Sequence, residues 1–300
     1  MMRPTMPVTG AWPRTVLWVT LTAGLAWVAW PIWGSATVAD SAAQSSEAPW
    51  VLAALCALLL LLGFALWNNA GRTLRPFAPA ALLVAAATLT RAVLHPGSSG
   101  IEFGYAFPLL AGILMGSPAG FLTGAAAALV SSLVTDTITV HLVAQTLVWG
   151  LWGLAGGVLR PLGTTSAWLL GALLCLPLGP VSGLLLNLTT WPADQSDNAT
   201  FLPGLGAWES AIRLARYCWE TSFGYDLMRG IASAVLLLLI GRPLLTALRH
   251  SHDTRTLPVE PLDGPPPAVS PHAVQRRAKN AALTTLWTPD TDTSRGDPDD

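Results

Sequence analysis

Charged side chains are scarce in this sequence: only 11% of its 300 residues are Asp, Glu, Lys or Arg. A soluble domain carries about a quarter charged residues, so this low value excludes an ordinary soluble protein. Hydrophobic residues make up 52% of the chain, and the mean hydropathy is +0.51. Because lipid offers no partner for a backbone polar group, the composition predicts an all-α integral membrane protein.

Cysteines and basic runs are also few. The three cysteines, Cys56, Cys175 and Cys218, have neither an even number nor metal-ligand spacing, so no disulfide framework or zinc site is predicted. A formal net charge of −1 gives no electrostatic reason to expect nucleic acid as a partner. The H-E-x-x-H, G-x-S-x-G and Walker A motifs are missing from the sequence, and we expect neither an enzyme nor a cofactor.

Apolar runs recur along the first 249 residues. A helix needs roughly 20 mostly apolar residues to cross about 30 Å of hydrocarbon. We predict about eight transmembrane helices on this criterion, over 15–33, 50–67, 77–94, 103–135 as two helices, 138–159, 165–188 and 225–248. Arg91, near the end of the third run, is expected to reach the membrane interface with its long side chain.

The uncharged run 103–135 is too long for one helix and too short for two full spans with a turn. It contains Gly116, Ser117 and Pro118, and a proline begins a helix well but interrupts one badly. We therefore predict one short helix before this break and one full helix after it.

Arginines predict the orientation of the helices, because Lys and Arg accumulate in cytoplasmic loops. They fall in alternate loops of this chain: Arg3 and Arg14, Arg72 and Arg75, Arg160, Arg242 and Arg249. The sequence therefore predicts a multi-pass protein of the cell membrane with both termini in the cytoplasm. The first run could instead be a secretory signal, but its apolar core exceeds the usual length of about 7 to 15 residues, which favours a retained anchor.

Two polar segments lie outside the predicted spans. Residues 207–220 place Trp208, Ile212, Ala215 and Trp219 on one face of an amphipathic helix. This helix could lie on the membrane surface or cap a pocket, and the pattern favours the surface. Residues 250–300 are rich in proline and polar residues without apolar periodicity, so they are predicted to form a disordered cytoplasmic tail.

Polar residues at the predicted outer end of the bundle are the candidates for ligand binding. His141, Gln145 and Trp149 share one stripe of a helix. Such groups face either a cavity or a neighbouring helix, so a ligand pocket and interhelical hydrogen bonding are equally compatible with the stripe. Span ends on the same side carry the other candidates: Glu102, Tyr105, Asp136, Asp226 and Arg229. Each taken alone is more typical of an interface residue or a salt-bridge partner, such as Asp226 with Arg229, but their common side would allow them to converge on one pocket.

Small residues at four-residue spacing indicate where helix backbones approach closely. One row runs through the short helix and its successor: Gly112, Gly116, Gly120, Gly124 and Ala128. Packing inside the bundle is favoured for this row over a partner surface. A second pair, Ala81 and Ala85, leaves a partner surface open.

Four segments carry a family resemblance: AALLVAAATLTRAVL, FPLLAGILMGSPAGFLTGAAAALVSSL, QTLVWGLWGLAGGVL and GYDLMRGIASAVLLLLIGRPLLTALR. They resemble the substrate-binding S component of an energy-coupling factor (ECF) vitamin transporter, of the cobalamin-type branch. The resemblance implies that residues 77–249 form the family's six-helix substrate-binding bundle. Residues 1–70 would then be two additional helices, which depart from the minimal pattern of the family.

The resemblance implies a function in vitamin transport. An S component captures its vitamin at the outer face, under loops that here contain Glu102, Asp136 and the Trp208 segment. It works with a transmembrane T component and two ATPase subunits, and the family's small residues on the first core helix contact the T component. This implies a partner interface at Ala81 and Ala85.

The aromatic and polar candidates suit a ring-bearing molecule with polar edges, such as cobalamin, another corrinoid or a related heterocycle. A structural membrane scaffold that binds protein partners, and no small molecule, is the alternative function.

Overall fold

The structure, a computed structural model, describes residues 10–33, 38–94, 100–139, 141–189, 191, 199–202 and 204–255. Within these ranges the regular secondary structure is entirely helical. Five of the described segments are long and apolar enough to cross a membrane: Ser46–Asn69, Arg75–Val93, Ser117–Val134, Thr164–Asn187 and Phe223–His250. The predicted all-α class is therefore confirmed, the apolar helices are compatible with a membrane protein, and the count of about eight spans stays a prediction.

The described helices are α1 (Ala11–Val28), α2 (Trp30–Trp33), α3 (Val38–Asn69), α4 (Ala78–Val93), α5 (Ala106–Met115), α6 (Ser117–Val134), α7 (Leu142–Val158), α8 (Thr164–Asn187), α9 (Ala207–Thr221), α10 (Phe223–Leu236) and α11 (Arg242–Arg255). A 3₁₀ turn at Arg75–Phe77 leads into α4, and a π-helical turn at Leu237–Gly241 joins α10 to α11. Each predicted span thus coincides with at least one helix.

The first predicted span is interrupted near its end. α1 stops at Val28, and the four-residue α2 begins at Trp30. Pro31 has no amide hydrogen to donate to the carbonyl four residues earlier, which explains the break. This stretch is therefore helical, but α1 is not one of the five long apolar segments.

The last helix extends further than the sequence predicted. α11 continues to Arg255, about two helical turns past the end of the predicted span 225–248, and the tail boundary at residue 250 stays a prediction. No proline occurs between Arg242 and Arg255 other than Pro243, which lies in the first turn where proline is tolerated. The rest of the predicted disordered tail, 256–300, lies outside the described residues.

The predicted break between the short helix and its successor is confirmed. α5 has 10 residues and ends at Met115, and α6 begins at Ser117 with Pro118 in its first turn. Gly116 between them has a φ of 95°, a conformation that glycine adopts without steric penalty. At about 15 Å, α5 is only half as long as the hydrocarbon core is thick.

Helices α5, α6 and α7 form the centre of the bundle, where their backbones touch. A Cβ atom added to Gly112 or Gly120 would collide with the backbone oxygen of Gly153, and one added to Gly124 would collide with that of Trp149. The prediction that this small-residue row packs inside the bundle is therefore confirmed. Around this centre, α4 packs on α5 and α6, α10 packs on α8, and α1 and α3 pack on each other and on α6 and α7.

Candidate functional site

Polar side chains from several helices gather at one end of the bundle. This end is formed by the last turns of α4, α6 and α8, the segment before α5, and the first turns of α7 and α10. Because consecutive helices run in opposite directions, residues far apart in sequence meet there. The side chains that contact one another at this end include Arg91, Glu102, Tyr105, Gln145, Trp149, Asp226 and Arg229.

The centre of the site is a buried network of three charges. Arg229 donates through Nε to Glu102 Oε2 at 3.0 Å and through Nη1 to Asp226 Oδ1 at 2.8 Å. The side chains of Arg229, Glu102 and Asp226 are only 6%, 11% and 5% exposed. Asp226 and Arg229, three positions apart on α10, therefore form an ion pair, and Glu102 joins it from the segment before α5.

Neutral side chains complete the hydrogen bonding of this network. Ser222 Oγ donates to Asp226 Oδ2 at 2.7 Å, and Asn187 Nδ2 donates to Ser222 Oγ at 2.7 Å. Gly183 on α8 makes the room, because a Cβ atom there would collide with the Asp226 carboxylate. A buried ion pair is stabilised when hydrogen bonds satisfy its remaining polar atoms, and Ser222 does this for the second carboxylate oxygen of Asp226.

Three aromatic rings lie beside the charges. The Tyr105 ring is 4.8 Å from the Trp149 ring and 5.1 Å from the Trp152 ring, measured between centroids, and all three side chains are buried. The Arg229 guanidinium carbon lies 5.3 Å from the Tyr105 centroid, within the range of a cation–π contact. Trp152 Nε1 donates to Ser182 Oγ at 2.7 Å. The predicted residues Tyr105 and Trp149 are thus part of one aromatic group.

Arg91 is a member of the site that the sequence analysis missed. Its guanidinium lies 5.8 Å from the Trp149 ring centroid and contacts Gln145 and the hydroxyl-rich end of α6. It was predicted to reach the membrane interface, but its hydrogen bonds tie it to the bundle. The cluster of Ser131, Ser132 and Thr137 at the same predicted end was the sequence signal for this environment.

His141 and Asp136 lie outside the charge network. His141 immediately precedes α7, and its Nδ1 is 3.4 Å from Thr189 Oγ1, at the end of α8. The predicted stripe therefore divides, since Gln145 and Trp149 contact Arg91 while His141 contacts α8. Asp136 stands in the turn after α6 with a φ of 52° and an exposed side chain.

The amphipathic helix is present as α9, but its apolar face points away from the bundle. Ser210, Leu214 and Tyr217 are its buried residues, whereas Trp208 and Trp219 are 78% and 68% exposed. α9 packs instead on α2, α8 and α10 through the opposite side. The exposed tryptophans agree with the membrane-surface interpretation of the sequence rather than with the pocket cap.

The chain matches no family model, no curated protein and no solved structure. Its function is therefore inferred from the residues themselves. In the part of the chain that the structure describes, no group of three His, Cys, Asp or Glu side chains could hold a metal ion. The arrangement at this end combines buried charges, hydroxyl groups and aromatic rings.

The predicted partner face lies on α4. Ala81 and Ala85 are both exposed. Ala81 borders a groove of about 240 Å³ between α4 and α6, whose other lining residues are Phe77, Ala80, Val84, Ala119, Leu122, Thr123 and Ala126. Small and apolar residues at a helix surface let another helix approach closely in a membrane.

Proposed function

We propose that this chain is the substrate-binding S component of an ECF-type transporter. In this proposal it lies in the cell membrane with both termini in the cytoplasm and captures a vitamin-like molecule at its outer face. The observation that carries the proposal is the meeting of charged and aromatic side chains, from the segment before α5 and from α4, α7 and α10, at one end of the bundle. Polar groups are expensive inside a membrane and usually mark a substrate site.

The chemistry of this end favours a ring-bearing substrate with polar edges. Tyr105, Trp149 and Trp152 form a buried aromatic group, and the guanidinium groups of Arg91 and Arg229 lie beside it. Ligand sites combine apolar walls with a few polar groups in this way. Cobalamin or a related heterocycle is the substrate class that we propose.

The proposal assigns no enzymatic activity to the chain. The energy for uptake would come from two separate ATPase subunits, coupled through a transmembrane T component. The exposed alanines of α4 support such a contact, because Ala81 and Ala85 leave the helix backbone accessible to a partner helix.

Affinity purification of the tagged, full-length chain from its own membrane tests this function. We expect a second membrane subunit and two ATPases to co-purify with it. Replacing Ala81 and Ala85 together with Leu should remove these subunits, since the added bulk keeps the partner helix at a distance.

Ala53 and Ala57 provide a matched control for that experiment. They are exposed alanines with the same four-residue spacing on α3, so the Ala53→Leu and Ala57→Leu double variant should keep its partners. If the Ala81→Leu and Ala85→Leu double variant still co-purifies with the other subunits, the proposed interface is wrong. Co-purification of other protein partners in place of the ATPases would favour the structural scaffold instead.

A further inference from the structure

The two arginines at the candidate site differ in whether a carboxylate neutralises their charge. Arg229 contacts two carboxylates, at 3.0 and 2.8 Å. Arg91 contacts only neutral oxygens, and no carboxylate in the described part of the chain lies within 4.0 Å of it. Among the residues that the structure describes, this partly buried positive charge therefore has no negative partner.

The oxygens around Arg91 hold it loosely. Nη1 donates to Ser131 Oγ at 3.1 Å and to Ser132 Oγ at 3.3 Å, and Nη2 donates to Thr137 Oγ1 at 3.4 Å and to Gln145 Oε1 at 3.5 Å. Most N–H···O bonds in proteins measure about 2.7 to 3.2 Å. A charged acceptor would bind the guanidinium more strongly than these neutral groups do.

The neighbouring groups could also change their role. A serine or threonine hydroxyl rotates and can donate as well as accept, and the amide of Gln145 carries two donor hydrogens. Ser132, Thr137 and Gln145 could therefore turn donors toward an anion held by Arg91, whereas Ser131 would first have to release the carbonyl of Ala128, to which its hydroxyl donates. The Trp149 ring, 5.8 Å from the guanidinium carbon, forms a wall on one side.

The acidic residue next to Thr137 in the sequence does not fill this position. Asp136 directly precedes Thr137, but its side chain is exposed and makes no ion pair with Arg91. The positive charge is thus available to a negative group from outside the described part of the chain.

We propose that Arg91, with Ser131, Ser132, Thr137 and Gln145, binds an anionic oxygen group, a carboxylate or a phosphate. The assignment of that group to the transported molecule rests on the function proposed above, and it restricts the substrate to an acid or a phosphate ester. A phospholipid headgroup presents the same chemistry, and the experiment below separates the two sources.

The test uses the full-length protein in nanodiscs of phosphatidylcholine, titrated with sodium phosphate or sodium acetate at constant ionic strength. The readout is the midpoint of thermal unfolding, which rises as a ligand binds the folded state. We expect a saturable rise for the unaltered protein. Arg91→Gln should weaken the apparent affinity by about tenfold or more, because it removes a charge-assisted bond.

Two further variants keep the test decisive. Arg75→Gln removes an exposed arginine at the other end of the same helical segment, and it should change the apparent affinity by less than about twofold. Arg91→Lys keeps the charge but not the planar donor geometry, so it should bind with intermediate affinity. If Arg91→Gln fails to fold, the comparison with Arg91→Lys still reports on the role of the guanidinium.

A second set of nanodiscs, containing phosphatidylglycerol, distinguishes the sources of the anion. An Arg91-dependent rise with phosphate or acetate in phosphatidylcholine supports a soluble anionic group. A rise caused by phosphatidylglycerol alone, and lost in Arg91→Gln, supports the anion site but overturns its assignment to the transported molecule.

Equal apparent affinities for the unaltered protein and Arg91→Gln would overturn the proposal. The absence of a saturable rise in the unfolding midpoint in either kind of nanodisc would also overturn it. None of these readouts needs the T component or the ATPases. Failure of the anion site and failure of the transport function are therefore separate results.

Discussion

Arg229 Nε bonds to Glu102 Oε2 at 3.0 Å, although the two residues are 127 positions apart. The bond fixes the segment before α5 to the first turns of α10. Asp226 reinforces it from one turn away, so Arg229 is the single cation between two buried carboxylates. This geometry predicts which of the three side chains contributes most to stability, because each removal leaves a different set of buried charges.

Arg229→Gln should destabilise the protein more than Glu102→Gln. Removing the arginine leaves Glu102 and Asp226 buried without a cation, whereas removing Glu102 leaves Arg229 paired with Asp226. Breaking a buried pair costs about 3 to 5 kcal/mol, and we expect Arg229→Gln to fall in that range. Unfolding in mixed detergent micelles, followed by tryptophan fluorescence, gives the two free energies.

Arg216→Gln is the control for that comparison. Arg216 is exposed on α9, and its replacement should change the free energy of unfolding by no more than about 0.5 kcal/mol. If Arg229→Gln lowers the free energy of unfolding no more than Arg216→Gln does, the charge network does not stabilise the fold.

Gly153→Ala should separate α6 from α7. Its added Cβ atom would collide with the backbone oxygen of Gly120, which cannot move without shifting the helix. Overpacking of this kind typically destabilises by about 1 to 3 kcal/mol. We expect a loss near the upper end, measured as the free energy of unfolding.

Gly224→Ala is the matched change at a helical glycine with free space around it. Nothing lies within 4 Å of its added Cβ atom, and alanine loses less backbone entropy than glycine when it becomes helical. This variant should be as stable as the unaltered protein or more so. Equal losses for Gly153→Ala and Gly224→Ala would contradict the close approach of α6 and α7.

Leu214→Ala and Trp208→Ala test the orientation of α9. Leu214 is 1% exposed, and Trp208 is 78% exposed. Truncating a buried leucine typically costs about 2 to 5 kcal/mol, whereas truncating Trp208 should leave the free energy of unfolding nearly unchanged. The reverse order would mean that α9 packs through its tryptophan face.

Much of the fold could be predicted because the length of an apolar run indicates a helix that can cross a membrane. The break at Gly116 and Pro118 followed from backbone chemistry alone, and the structure has it at the predicted place. The interruption before Pro31 was missed, because the apolar run continues through it. Composition therefore identified helices better than it located their ends.

The candidate site was only partly predictable. Helix direction alone placed Glu102, Asp226 and Arg229 at one end, and the structure joins them in one network. The hydroxyl cluster at the end of α6 indicated a polar environment, but its pairing with Arg91 could not be predicted, since the partners of Arg91 lie 40 to 54 residues away in the sequence.

The sequence also did not predict which side of α9 faces the bundle. Periodicity finds an apolar face but does not say whether lipid or protein covers it.

Native mass spectrometry of the full-length protein, gently extracted from its own membrane, tests the proposed transport function most directly. One spectrum reports bound small molecules and attached subunits together. We expect a vitamin-sized adduct that dissociates on activation, together with complexes that contain a T component and ATPases. A spectrum with protein partners of another kind and no small-molecule adduct would contradict the proposed function and favour the scaffold.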